Sequence, residues 1–319
     1  MTLPWLEAHQ AALGQALDAR RLGHAPLLHG PPGLGKRTLA RWLVAKMLCL
    51  AGDASAPCGI CRSCQLLDSG SHPDLFFGRV PEDKTQITVD VVREVSAGLQ
   101  LTPGIGRARV CLIDPAELMN TNAANALLKT LEEPADQAWL VLVSDRPDLL
   151  PATVRSRCQK ITIRPPDRQL ALAWLAEQSP QSAADEIALA LDICADAPLK
   201  ALKLIEDDEL RFGVEVRQVL IDLAAGKAIA PDTAQAWASS PRQSLDWIAH
   251  WLGAWLGARM QAHAVKAGDG LPGSCQPLDL ARAWQRLMLT RQLAETSVRK
   301  ELLLGKWLLE WESIFAAGE

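Results

Sequence analysis

Ala25-Pro26-Leu27-Leu28-His29-Gly30-Pro31-Pro32-Gly33-Leu34-Gly35-Lys36-Arg37-Thr38 is a short apolar run that empties into a glycine-rich turn and then into a helical pattern reaching Leu50. Strand, loop, helix is the order in which a phosphate-binding loop is built. Backbone N–H groups cradle the anion at the helix N-terminus, and a lysine neutralises its charge. Gly30, Gly33, Gly35 and Lys36 stand at the right spacing for the first seven positions of that Walker A pattern. The eighth position should offer a Ser or Thr hydroxyl to magnesium, but it is Arg37, and the hydroxyl arrives one residue late at Thr38. A shift of one residue on a helix turns a side chain by about 100°, so Thr38 is a displaced member of the set.

Working outward, Leu6 to Arg21 has apolar residues at helical spacing, and strands are expected at 75–77, 87–89 (Ile87-Thr88-Val89), 110–113, 139–143 and 161–163. Continuous apolar strands alternating with helices predict a parallel sheet covered on both faces. The strand 110–113 runs into Asp114, the position of the metal-holding aspartate in the second half of an ATPase site. Pro115 follows where a glutamate should orient the attacking water, and Glu117 comes two positions later. Two independent parts of a hydrolytic site are therefore missing. After Pro165-Pro166 only helical patterns remain, at 169–178, 183–194, 198–205 and from Leu210 to Ala317. The expected organisation is an α/β domain over 1–165, a small helical lid over 166–208 and an all-α domain over 209–319. In the last of these, Trp247, Trp251 and Trp255 share one helix face. They are read as bundle core, with an oligomerisation surface as the alternative, and Ala267 to Pro277 is read as a loop.

Cys49, Cys58, Cys61 and Cys64 give C-x8-C-x2-C-x2-C, and the two-residue spacers let neighbouring thiolates reach one ion. Four soft ligands predict a closed, structural Zn2+ site, a knuckle over 49–64 stapled to the end of the phosphate-loop helix; a redox or iron–sulfur role is the lesser alternative. His72 is a candidate substitute ligand or a turn residue, and Cys111, Cys194 and Cys275 read as inert thiols. At 319 residues the chain has material for two or three domains. It has 49% hydrophobic residues, no run of about 20 apolar residues, and no export signal among its first residues, so a cytoplasmic protein with no membrane contact is expected. A net charge of −4 argues against a stand-alone DNA coater.

Asn125-Ala126-Leu127-Leu128-Lys129-Thr130-Leu131-Glu132-Glu133-Pro134, followed by Ser156-Arg157-Cys158, closely resembles the bacterial clamp-loader subunits of DNA polymerase III, members of the AAA+ family. With the knuckle after the phosphate-loop helix, the resemblance spans about residues 24 to 166. It implies an AAA+ P-loop domain with an inserted zinc knuckle, a lid, and a C-terminal collar that assembles subunits into a ring. Motor subunits of the family keep both ATPase motifs, so the lesions at Arg37 and Pro115 place this chain with the non-motor kind. Asp196-Ala197-Pro198-Leu199 also lacks the lid arginine of motor subunits, although Lys200 is adjacent. By the same resemblance Arg157 is an arginine finger acting in trans, with Arg155 in support. Motor (tau/gamma) and delta subunits are the implied partners, with the sliding clamp indirectly and primer-template DNA inside the ring. ATP is an open ligand, and no turnover is expected from the chain alone. The rival readings are an active ATPase motor subunit and a zinc-dependent DNA-binding module, for which Arg62 is the only basic residue inside the knuckle.

Overall fold

The computed structural model describes residues 2–51, 57–261, 271, 275–294, 296 and 298–316. The chain divides into two compact units, residues 1–203 and 204–319.

In the first unit a 3-10 turn at Pro4–Leu6 leads into α1 (Glu7–Asp18), then β1 (Pro26–His29), α2 (Lys36–Leu48), α3 (Arg62–Asp68), β2 (Leu75–Gly78), α4 (Val89–Leu99), β3 (Arg109–Ile113), α5 (Thr121–Glu132) and β4 (Ala138–Ser144). A single turn, α6 (Ala152–Arg155), precedes β5 (Gln159–Thr162), and α7 (Arg168–Gln178), α8 (Ala184–Ile193) and α9 (Pro198–Glu206) follow. The five strands form one parallel sheet in the order β2-β3-β4-β1-β5. Alternation divides the strand residues between two faces. Leu27, Cys111, Ile113, Leu140 and Leu142 enter one buried core with Val92, Val95 and Leu99 of α4 and Ala123, Leu127 and Leu131 of α5. Leu28, Val110, Val141 and Val143, all buried, take the other face, where α2 packs on β1, β3 and β4. Both faces are covered, so the strands read as unbroken apolar runs.

One expected strand is corrected. Of Ile87-Thr88-Val89, only Ile87 makes a bridge, to Met119. Thr88 is the extended residue before α4, which begins at Val89. The β-branched triplet is outvoted by Val89, Val92, Val95 and Leu99, whose spacing of three and four builds a helix face.

Asp74, fully buried just before β2, accepts backbone N–H bonds from Gly104 at 2.7 Å, Ile105 at 2.9 Å and Gly106 at 3.0 Å. Arg109 Nη2 stands 3.6 Å away. One carboxylate thus anchors the whole loop between α4 and β3, and these N–H groups together with Arg109 hold its pKa below the usual carboxylate value although burial alone would raise it.

The second unit is helical: α10 (Glu209–Ala224), α11 (Ala230–Trp237), α12 (Pro241–Gln261), α13 (Pro277–Ala294) and α14 (Lys300–Ala316). Trp247, Trp251 and Trp255 on α12 are all buried. Trp251 Nε1 donates to the Gly213 carbonyl of α10 at 2.8 Å, and Trp311 Nε1 on α14 donates to Leu220 O at 2.9 Å. The stripe is core. Gly213 is glycine because a Cβ there would lie 2.4 Å from the Trp247 ring. Most of the loop expected over 267–277 lies outside the described residues.

Candidate functional site

The carboxyl ends of three adjacent strands meet at one rim, the usual ligand-binding edge of an open α/β sheet. Gly30 to Gly35 leave β1, Asp114 follows β3 and Asp145 follows β4. The three glycines all have positive φ, 145° at Gly30, 82° at Gly33 and 86° at Gly35, which side-chain-bearing residues rarely adopt. A Cβ on Gly30 would stand 2.1 Å from the Ile163 carbonyl oxygen, so that turn tolerates no other residue.

The loop's charges are already matched inside the protein. Lys36 is 3% exposed, and its ammonium reaches the carbonyls of Gly30 at 2.7 Å and Pro31 at 2.5 Å and Asp145 Oδ1 at 2.6 Å. An ammonium has three donors, so this lysine is saturated. Arg37 turns back onto Asp114, with Nε 2.8 Å from Oδ2 and 3.1 Å from Oδ1. A guanidinium therefore stands against the carboxylate that would hold a divalent ion. Leu199 N donates to Gly33 O at 3.1 Å, and the Cβ of Lys200 lies 2.8 Å from where a Gly33 Cβ would be, so α9 lies against the loop. Thr38 is exposed on α2. Glu117 Oε1 accepts from Asp145 N at 3.1 Å, and its buried Oε2 has no partner among the described residues. With Lys36 saturated, Asp114 paired and α9 against the loop, these residues do not fit a magnesium nucleotide as they stand. Asp145 and the Arg37–Asp114 pair were missed in the sequence; the available signal was an acid two positions after the apolar run 138–143, past Ser144.

The four cysteines do come together. Their sulfurs all lie within 4.8 Å of one another, with Cys49–Cys58 at 3.6 Å and Cys49–Cys61 and Cys58–Cys64 at 4.0 Å. A tetrahedron with zinc–sulfur bonds of about 2.3 Å has edges of about 3.8 Å, so the cage fits that ion. The knuckle backbone supports it: Cys61 N donates to Cys58 Sγ at 3.4 Å and Cys64 N to Cys61 Sγ at 3.5 Å. Burial opposes ionisation of Cys61, but the backbone N–H groups of Cys64 and Leu50 and the neighbouring thiols outweigh it and pull the thiol down to about 6. His72 is not part of the cage. Its Nδ1 accepts from Asp74 N at 3.1 Å, and its Nε2 lies 2.8 Å from Ser63 Oγ. Because the Ser63 hydroxyl donates to Leu48 O at 2.6 Å, the imidazole carries its proton on Nε2, and it braces α3 against the end of α2.

Arg157 belongs to neither group. It follows α6 and leads into β5, at the amino ends of the strands, the rim opposite the phosphate loop. Its side chain is 37% exposed, and its partners are Glu132 and the Thr153 carbonyl. Arg155 pairs instead with Asp148 at 3.0 Å.

A parallel sheet of this order, with a phosphate loop after β1, short helices behind it and a separate helical region, defines an AAA+ module followed by a C-terminal bundle. Comparison with known proteins narrows the class. The sequence profile of the family described as DNA polymerase III, delta subunit, matches residues 6–167. DNA polymerase III subunit delta' of Pseudomonas aeruginosa is 33% identical over 99% of this chain and 98% of its own length. That of Escherichia coli K12 is 38% identical over 64% of this chain and 61% of its own. The chain belongs to the delta-prime family of DNA polymerase III subunits. Among solved structures, a DNA polymerase III gamma subunit-related protein of Thermotoga maritima shares the fold, with a TM-score of 0.50 at 14% identity over 95% of this chain and 99% of that one.

Proposed function

We propose that this chain is the non-motor subunit of a sliding-clamp loader in DNA replication, a scaffold that lends Arg157 to the ATP site of a neighbouring subunit. The observation that carries this reading is the placement of charge. At its own rim both functional charges are paired internally, Lys36 with Asp145 and Asp114 with Arg37, while an exposed arginine sits at the opposite rim. The four residues of β5 span about 13 Å, which puts Arg157 out of reach of its own loop, so it acts on a phosphate held by another chain. A guanidinium there stabilises the charge developing on a transferring phosphoryl group, an effect worth about 10³-fold or more.

In this reading the sheet module (1–165) and lid (166–208) form a fixed wedge, and the helical unit (209–319) is the collar that joins the ring. Motor (tau/gamma) and delta subunits are its direct partners; the clamp and primer-template DNA are engaged through the assembly, in the cytoplasm. Cys49, Cys58, Cys61 and Cys64 hold Zn2+ as a structural ion, which ties the end of α2 to α3. The chain turns over no ATP by itself, and any polymerase activity belongs to the holoenzyme.

The test is steady-state ATP turnover by the purified chain, alone and reconstituted with motor and delta subunits on primed DNA, with Arg157→Ala beside the parent. The expected result is no turnover alone, and in the complex a loss of about 10³-fold at the one site that receives this arginine. Substantial turnover by the isolated chain would reclassify it as a motor.

A further inference from the structure

A guanidinium has five N–H donors fixed in a plane. In Arg157 the side edge is taken by Glu132, the last residue of α5: Nε donates to Oε1 at 2.8 Å, and Nη2 lies 2.5 Å from the same oxygen. Nη1 donates to the Thr153 carbonyl of α6 at 3.0 Å. These contacts use three of the five donors. The two that remain lie one on each terminal nitrogen, and neither meets an acceptor among the described residues. One donor on each terminal nitrogen is the pair with which a guanidinium forks onto two oxygens of a phosphate or carboxylate.

Glu132 and Arg157 are both substantially exposed, 50% and 37% for their side chains. Exposed ion pairs contribute little to stability. What the pair does is fix direction: an arginine side chain has several rotatable bonds, and two elements, the end of α5 and the turn α6, clamp it from different sides. The clamp leaves one N–H on each terminal nitrogen unused.

We infer that Glu132 is a positioning residue for Arg157, holding the guanidinium so that its terminal edge faces outward to meet two oxygens of the terminal phosphate of a nucleoside triphosphate bound by a neighbouring chain. This rests on the donor role proposed above for Arg157. Glu132 touches no reacting atom; it acts through the arginine, by removing the search for the correct rotamer before the neighbour's phosphate arrives.

The test uses the full chain reconstituted with motor and delta subunits, with Glu132→Ala, Glu132→Gln, Arg157→Ala and the double variant Glu132→Ala/Arg157→Ala. Misplacement of a reacting group by about 1 Å costs up to about 100-fold. Glu132→Ala should therefore lower kcat of DNA-stimulated ATP turnover by roughly 10- to 100-fold at the affected site with KM unchanged. Glu132→Gln, which keeps one acceptor oxygen, should recover part of the loss. The melting temperature of the chain and its assembly into the complex should not move. The double variant should match Arg157→Ala alone, because a residue that acts through Arg157 has nothing left to position. A second readout needs no partner: in the isolated protein labelled with 15N-arginine, the Arg157 Nε–H should exchange slowly with solvent and become fast in Glu132→Ala. A further loss caused by Glu132→Ala on the Arg157→Ala background, or an unchanged Nε–H, overturns the inference. If Arg157→Ala is silent in turnover while its Nε–H still depends on Glu132, the donor role falls, and the phosphate-facing half of this proposal falls with it.

Discussion

At the residue scale, fully buried Asp74 shows how one charge organises a loop. Hydrogen bonds to an ionised group are worth about 1.5–3 kcal/mol each, and losing the acceptor leaves buried donors unpaired. Asp74→Asn should therefore lower stability in urea by about 2–3 kcal/mol at pH 7. The carboxyl is held below its usual value in the folded chain. Its contribution is accordingly present in full above about pH 4, the ordinary carboxylate range, and is lost as the pH falls through the depressed folded value. The gap between parent and variant should stay constant from neutral pH to mildly acidic pH and narrow only below it; a gap that widened on acidification would contradict the assignment. Residue identities gave the sequence reading its secure parts: Arg37 and Pro115 announce the damaged site by being the wrong types. The partners were illegible, because the Lys36–Asp145 and Arg37–Asp114 contacts join residues 109 and 77 positions apart in sequence.

At the element scale, periodicity reported burial faithfully wherever the run was long. The strands 110–113 and 139–143 and the tryptophan stripe on α12 are where their spacing placed them, whereas Ile87-Thr88-Val89 was too short to compete with the helix it begins. Packing also reverses a propensity argument at Gly213. In an exposed helix, Gly→Ala gains about 1 kcal/mol; here the added methyl would meet three atoms of the buried Trp247 ring at 2.4–2.5 Å. Overpacking costs about 1–3 kcal/mol, and an indole stacked on Trp251 cannot swing aside cheaply, so Gly213→Ala should lower the melting temperature. The knuckle makes a prediction of its own. A strong zinc chelator should release one equivalent of metal and expose four thiols to titration by a disulfide reagent, the four of the cage. Cys111, Cys158 and Cys194 should stay silent, since each is buried and its thiol is pushed up, the latter two to about 11. If no metal is released and no thiols appear, the cage is not a zinc site.

For the whole molecule, the family was legible because its motifs are local: a glycine loop, a cysteine spacing and a ten-residue helix end. The helical unit carries no such string, and only its composition set it apart, with seven of the chain's eleven tryptophans, at 237, 247, 251, 255, 284, 307 and 311. Folding turns that bias into an optical property. Five of these indoles run in series, with Trp247, Trp251, Trp255, Trp311 and Trp307 centred 5.8–6.4 Å from one to the next. Chromophores this close share excitation, so light absorbed by one is emitted by whichever member of the row lies lowest in energy. Their coupled transitions also add an exciton signal to the ultraviolet circular dichroism, on top of the backbone's own. The bundle thus carries a built-in, label-free optical reporter, and the intrinsic fluorescence of this chain is weighted towards residues 204–319, with Trp5, whose Nε1 donates to the Leu34 carbonyl of the phosphate loop at 2.9 Å, as the indole placed to sense that loop.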